Sequence, residues 1–280
     1  MFLYPDSFVE SLLLEDLPLS DLTSQAFNVD TQPGQIRALA RETGVAAGVE
    51  VAVKLFLMVG VKAESQVKSG EVLAPGQALF TATGPAGLLH AAYKTAQNVL
   101  EYSGGIATRA RLMVNRAQEV GQAEVLVTRK HFPGTKRLSL AAAVAGGAKI
   151  HRTGLSDSIL VFDQHSLFLG GLAGLAKLLP AVKDKYPEKK IALEVANLPE
   201  AEMAARAGAD VIQCEKFPEK DLKATVEAVK GLNPTIRIVA AGGVNGDNAA
   251  ALAATGVDGL VTSWPFFGKP QDIKMAFTAL

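Results

Sequence analysis

Six short apolar runs follow one another in the second half of the chain: EVLVT (124–128), ILVF (159–162), IALEV (191–195), DVIQC (210–214), IRIVAA (236–241) and DGLVT (258–262). Each is strand-sized, and the segments between them, such as LPEAEMAARAG and GDNAAALAATG, have helical composition and end at glycine. Strands joined by helical crossovers lie parallel, so this rhythm predicts a parallel sheet with helices packed on it. An open doubly wound sheet and a closed or partial barrel both satisfy it. A polar residue follows nearly every run, which favours the barrel, because barrel enzymes carry their chemistry at the C-terminal ends of the strands.

The first part reads differently. Phe8, Val9, Leu12 and Leu13 have helical spacing, Asp6 or Ser7 suits the cap, and Pro18 ends the helix. EDLPLSDLTS (15–24) predicts a polar loop. Segments 36–41, 45–52 and 67–84 read as β-runs with turns at Ser69-Gly70 and Pro75-Gly76. Pro85 opens a helix that continues through Tyr102, and Ser103-Gly104-Gly105 predicts a break before a second helix ending near Glu119. The expected organisation is an α/β domain over 1–110, a β/α barrel over 111–264, and a tail, 265–280, packing back on the first domain.

Lys plus Arg and Asp plus Glu both number 28, so no overall field favours nucleic acid or a membrane surface. Cys214 is the single cysteine, which excludes an intrachain disulfide and a cysteine metal site and suits a reducing, cytoplasmic setting. The N-terminus has acids among its apolar residues and no basic region, unlike a secretory signal. No apolar run is long enough to span a bilayer.

Charge gathers at the expected strand ends. TRKHFPGTKR brings Arg129, Lys130, His131, Lys136 and Arg137 after the first strand, and His151 and Arg152 precede the second. Asp163-Gln164-His165, Glu194, Glu215-Lys216 and the Gly242-Gly243 pair close later strands. Cations of this kind hold carboxylates and phosphates, arginine by a planar fork. Acids can meet a magnesium pyrophosphate or steady a developing positive charge, and a glycine pair can offer backbone N–H groups to phosphate. Singly, each has an ordinary explanation: a solvated Arg129-Lys130 pair, a structural His151, a tight turn at Gly242-Gly243, a buried Cys214. Their coincidence at one end of one sheet points to a site.

At these residues the sequence resembles the nicotinate-nucleotide pyrophosphorylase (quinolinate phosphoribosyltransferase) family, in particular its branch linked to molybdenum transport. The resemblance rests on EDLPLSDLTS, NVLEYSGGIAT, TRKHFPGTKR, GGAKIHRTGLSDSILVFDQH, LEV at 193–195 and AAGGV. It implies an N-terminal α/β sandwich domain, an open, partly TIM-like β/α barrel and a homodimer with shared active sites. The implied reaction joins an aromatic acid to 5-phosphoribosyl 1-pyrophosphate, releasing pyrophosphate, with Mg2+ and no organic cofactor. Arg129, His151 and Arg152 would grip the acid, with His165 nearby. Lys130, Glu194 and Glu215 would serve catalysis, the two acids near the metal. Ala241, Gly242, Gly243 and Ser263 would bind phosphate. The chain departs from the family pattern at Phe162, where a lysine is usual, and at Lys94, where an arginine crosses the dimer. It departs again at Gln164 and Glu215, where asparagine and aspartate are usual. The departures predict an acceptor other than quinolinate. A true quinolinate enzyme and a non-catalytic phosphate-binding protein tied to molybdate uptake are the alternatives.

Overall fold

The computed structural model describes residues 2–280. It divides into two compact units: residues up to Arg111 with Phe132–Gly147 and Pro265–Leu280, and Leu112–His131 with Ala148–Trp264.

The first unit contains α1 (Asp6–Asp16), α2 (Leu22–Ala26), β1 (Pro33–Ala40), β2 (Gly44–Val45), α3 (Val49–Met58), β3 (Lys62–Ser65), β4 (Val72–Leu73), β5 (Ala78–Pro85) and most of α4 (Ala86–Gln118). Antiparallel pairing sets a four-stranded sheet in which β1 is central and its outer neighbour is the tail strand 273–279. Strand β1 alternates, burying Ile36, Ala38 and Ala40. Those residues meet Leu55 and Phe56 of α3 and Leu89, Ala92, Ala96 and Leu100 of α4 in one apolar core. Aromatic rings of Phe56 and Phe80 lie 5.2 Å apart within it.

Four local expectations change here. Segment 45–52 is not a β-run: Gly48 turns the chain at φ +75°, and α3 starts at Val49. Val51, Ala52, Leu55 and Phe56 then face the core at helical spacing, so packing outweighs the β-preference of valine. Within 15–24, Asp21 accepts hydrogen bonds from the Thr23 and Ser24 N–H groups and caps the short α2. Pro5, rather than Asp6 or Ser7, stands at the N-cap of α1. The expected break at Ser103-Gly104-Gly105 is absent, since α4 is one 33-residue helix. A Cβ on Gly104 would lie 2.1 Å from Gln271 Oε1, and one on Gly105 would lie 2.5 Å from the Lys269 carbonyl oxygen. The glycines admit a crossing segment against the helix.

The second unit begins with the end of α4 and β6 (Glu124–Val127). After α5 (Lys136–Ala145) come β7 (Lys149–Ile150), β8 (Ile159–Val161), α6 (Asp163–Ser166), α7 (Gly171–Lys185), β9 (Ile191–Val195), α8 (Leu198–Arg206), β10 (Val211–Glu215), α9 (Glu219–Leu232), β11 (Arg237–Ala241), α10 (Ala249–Ala253) and β12 (Gly259–Thr262); β13 (Ile273–Ala279) is the tail strand. Helix α5, placed by sequence with the barrel, belongs to the first unit. Its Ala142 packs with Val45, Ala47 and Ala107, and Arg111 donates from Nε to the Gly146 carbonyl at 2.9 Å.

The seven parallel strands run in the order β7-β6-β12-β11-β10-β9-β8. β7 and β8 are the free edges, so the barrel is open between them. β7 has two residues, too few to leave a pattern in the sequence. Leu126, Val211, Val239, Ala241 and Val261 form an apolar plug inside. At the N-terminal ends charges are matched. Asp258 accepts from Lys230 Nζ at 2.9 Å, Arg237 at 2.7 Å and the Ile238 N–H at 2.8 Å. Asp210 accepts from Lys183 Nζ at 3.1 Å and the Ile191 N–H at 2.8 Å, and Lys149 pairs with Glu124. Asp210 and Asp258 thus tie adjacent strands together, the stabilising role usual at this end of a barrel.

Candidate active site at the barrel mouth

At the C-terminal ends the opposite holds. A cavity of about 560 Å³ opens there, lined by the residues that follow almost every strand. Thr128, Arg129 and Lys130 come from the end of β6, His151 and Arg152 from β7, and Leu160, Phe162 and Gln164 from β8. Glu194 comes from β9, Gln213 and Glu215 from β10, Ala241 to Val244 from β11, and Val261 to Trp264 from β12. Parallel strands deliver these side chains to one rim because all their C-terminal ends point the same way.

Among the described residues, Arg129, Lys130, Arg152, Glu194 and Glu215 form no ion pair. Arg152 is 7% exposed and lies over the face of Phe162, 5.7 Å from Cζ to the ring centroid, with Asp157 the carboxylate whose charge reaches it, though outside ion-pair distance. A buried guanidinium without a carboxylate costs several kcal/mol relative to a paired one, and a bound anion removes that penalty. Burial, then the neighbouring Arg152 charge, hold the His151 imidazole below its ordinary pKa, so it is neutral at neutral pH.

The acids face this cationic side. Burial raises the Glu194 pKa. Gln213 opposes this through a hydrogen bond from Nε2 to Glu194 Oε2 at 2.7 Å, while Glu215 and Asp163 reinforce it. Gly242 and Gly243 both have positive φ, +80° and +73°. A Cβ on Gly242 would lie 2.5 Å from Glu215 Oε1, so glycine there lets the carboxylate sit against the loop. The loop is braced from behind, since Asn245 and Asn248 both donate to the Gly243 carbonyl, at 3.2 and 3.1 Å. Helix α10 starts only at Ala249 and has five residues. Phosphate binding by this loop would therefore use backbone N–H groups and not a helix end. Ser263 is fixed by Thr128, their hydroxyl oxygens 2.5 Å apart.

Two expected site residues are placed elsewhere. His165 does not line the cavity: its Nδ1 accepts the Phe162 N–H at 3.0 Å, and its ring stacks on Phe162 at 5.9 Å. Lys94 is exposed on α4 in the first unit, bonded to Gln97 Oε1 at 3.0 Å. Sequence reasoning missed Thr128, Gln213 and Trp264. Gln213 alone left a signal, as a polar residue inside an otherwise apolar run.

Fold and mouth together define a class: an open β/α barrel that gathers cations, two carboxylates and a glycine loop at the C-terminal ends of its strands. Residues 106–276 match the family described as quinolinate phosphoribosyl transferase, C-terminal domain, and residues 21–103 match its N-terminal domain. Several relatives carry the pyrophosphorylase name ModD. That of Rhodobacter capsulatus is 40% identical over 91% of this chain and 98% of its own length, and that of Pasteurella multocida is 35% identical over 98% of each. The solved structure of NadC from Streptococcus pyogenes has a TM-score of 0.91 at 25% identity, covering 100% of this chain and 99% of that one. The chain belongs to the quinolinate phosphoribosyltransferase family and is an enzyme of the pentosyltransferase type.

Proposed function

We propose that the enzyme transfers the phosphoribosyl group of 5-phosphoribosyl 1-pyrophosphate to a ring nitrogen of an aromatic or heterocyclic acid other than quinolinate. A C–N bond forms at the anomeric carbon while the C–O bond to pyrophosphate breaks, the electron pair leaving on pyrophosphate. The supporting observation is the unpaired charge at the barrel mouth beside a glycine loop. Arg129, His151 and Arg152 would hold the acid, Lys130 the pyrophosphate end of the donor, and Ala241 to Gly243 with Ser263 the 5-phosphate. Glu194 and Glu215 would stabilise positive charge developing on the ribose. Among the described residues no three metal-ligating groups converge. These two carboxylates would instead meet magnesium arriving with the donor, since Mg2+ is commonly held by one or two carboxylates plus substrate phosphates. A second copy of the chain would contribute the exposed Lys94, as the family resemblance suggests, and the lone buried thiol suits the cytoplasm.

The acceptor argument rests on Phe162, which covers one face of the Arg152 guanidinium with an apolar ring. A diacid needs more cationic contacts than this leaves, and each lost charged hydrogen bond costs about 1.5–3 kcal/mol. Pyrophosphate release from the donor and Mg2+ tests both points, with quinolinate and a panel of ring monoacids as acceptors. Release with at least one monoacid, and slow release with quinolinate, is expected. Fast turnover of quinolinate would overturn the acceptor argument, and donor binding with no release under any acceptor would overturn the transferase. Phe162→Lys is expected to tighten quinolinate binding about tenfold by calorimetry; no change would count against the role given to Phe162.

A further inference from the structure

Gln213 is 4% exposed and lines the mouth cavity, on the strand between those that carry Glu194 and the glycine loop. Its register partners are Glu194 on β9 and Val239 on β11, so it points into the barrel directly beside Glu194. The amide orientation is set by Nε2, which donates to Glu194 Oε2 at 2.7 Å. The opposite orientation would set an amide oxygen against a carboxylate oxygen. That leaves Oε1 as a buried acceptor with no hydrogen-bond partner; among the described residues the only other buried side-chain polar atom without one is a donor, Gln271 Nε2. Buried acceptors are nearly always satisfied, and an orphan at a cavity wall asks for a donor on the ligand.

Resting on the phosphoribosyl reading above, we propose that Gln213 is a specificity-determining residue for the sugar: Oε1 accepts a ribose hydroxyl, and Glu194 accepts the neighbouring one. The placement favours the sugar over the aromatic acid. The unpaired cations that would hold the acid stand on β6 and β7, across the barrel, whereas Gln213 lies between the glycine loop and Glu194. A sugar whose 5-phosphate sits at Gly242-Gly243 would extend over β10 towards β9. Its vicinal hydroxyls are paired donors, and the linked Glu194–Gln213 oxygens are paired acceptors. An apolar side chain at 213 would leave one hydroxyl unsatisfied on binding.

Calorimetric titration of the full chain with ribose 5-phosphate, and separately with inorganic phosphate, tests this. Gln213→Met is expected to weaken ribose 5-phosphate binding about 5- to 15-fold, the worth of one hydrogen bond, and to leave phosphate binding unchanged. Gln213→Leu serves the same comparison if the methionine variant does not fold. A residue acting only by holding Glu194 would have no effect once Glu194 is gone, so the loss should persist in a Glu194→Ala background. Unchanged ribose 5-phosphate affinity, or a loss that vanishes in that background, overturns the role of Gln213 alone. If the unaltered chain binds ribose 5-phosphate no better than phosphate, the phosphoribosyl reading fails with it.

Discussion

Arg152 shows how a single side chain can be kept against the interest of stability. Its guanidinium is buried, stacked on Phe162 and, among the described residues, within ion-pair distance of no carboxylate, Asp157 acting on it only from farther away. Arg152→Met keeps much of the packing volume and removes the uncompensated charge. Urea unfolding should therefore show a ligand-free variant more stable by about 1–2 kcal/mol. The same variant should lose roughly two orders of magnitude in kcat/KM for the acid acceptor, since a charge-assisted contact is gone. Reduced stability would instead make Arg152 a structural residue. Cys214 illustrates the reverse case: burial pushes its thiol up to about 12, which keeps it a neutral core side chain.

Among the elements, the glycines of two helices make opposite predictions from the same propensity scale. In α4, alanine at position 105 would gain up to about 1 kcal/mol of helix propensity. It would also drive a methyl group to 2.5 Å from the Lys269 carbonyl oxygen, a backbone atom that cannot step aside alone. Gly105→Ala should lower stability by about 2 kcal/mol or more in denaturant titrations. In α9, a Cβ at Gly231 meets nothing within 4 Å, and Gly231→Ala should raise stability by about 0.5–1 kcal/mol. Equal effects at the two positions would remove the close-approach explanation for the unbroken α4. Sequence alone could not separate them, because a glycine that breaks a helix and one that admits a neighbour are the same letter.

For the whole molecule, net charge is zero, so affinity for a polyanion has to come from local arrangement. The only tryptophan, Trp264, lines the mouth cavity and belongs to the second unit, so its emission reports that unit. Pyrophosphate with Mg2+, at about a hundredfold excess over its dissociation constant, adds about 2.7 kcal/mol to the state that binds it. The emission-detected melting midpoint should rise by about 5 °C. An unmoved midpoint at saturating pyrophosphate would argue that the unpaired cations do not form an anion site.

Much of this architecture can be read from the chain. Apolar runs such as IALEV, separated by helical segments, define parallel strands, and parallel strands share polarity. Residues at or just past the end of each run, Glu194, Arg129 and Glu215 among them, therefore had to reach one rim whatever the remaining detail. Tertiary structure alone decided which charges find partners. Asp258 and Glu215 are both acids at strand termini, yet Asp258 meets two cations and Glu215 none. It also decided that Gln213 would be buried with an oxygen unspent, and that α5 would leave the barrel for the first unit. Periodicity is a local property of the backbone, whereas pairing depends on separations of a few ångströms between segments far apart in the chain.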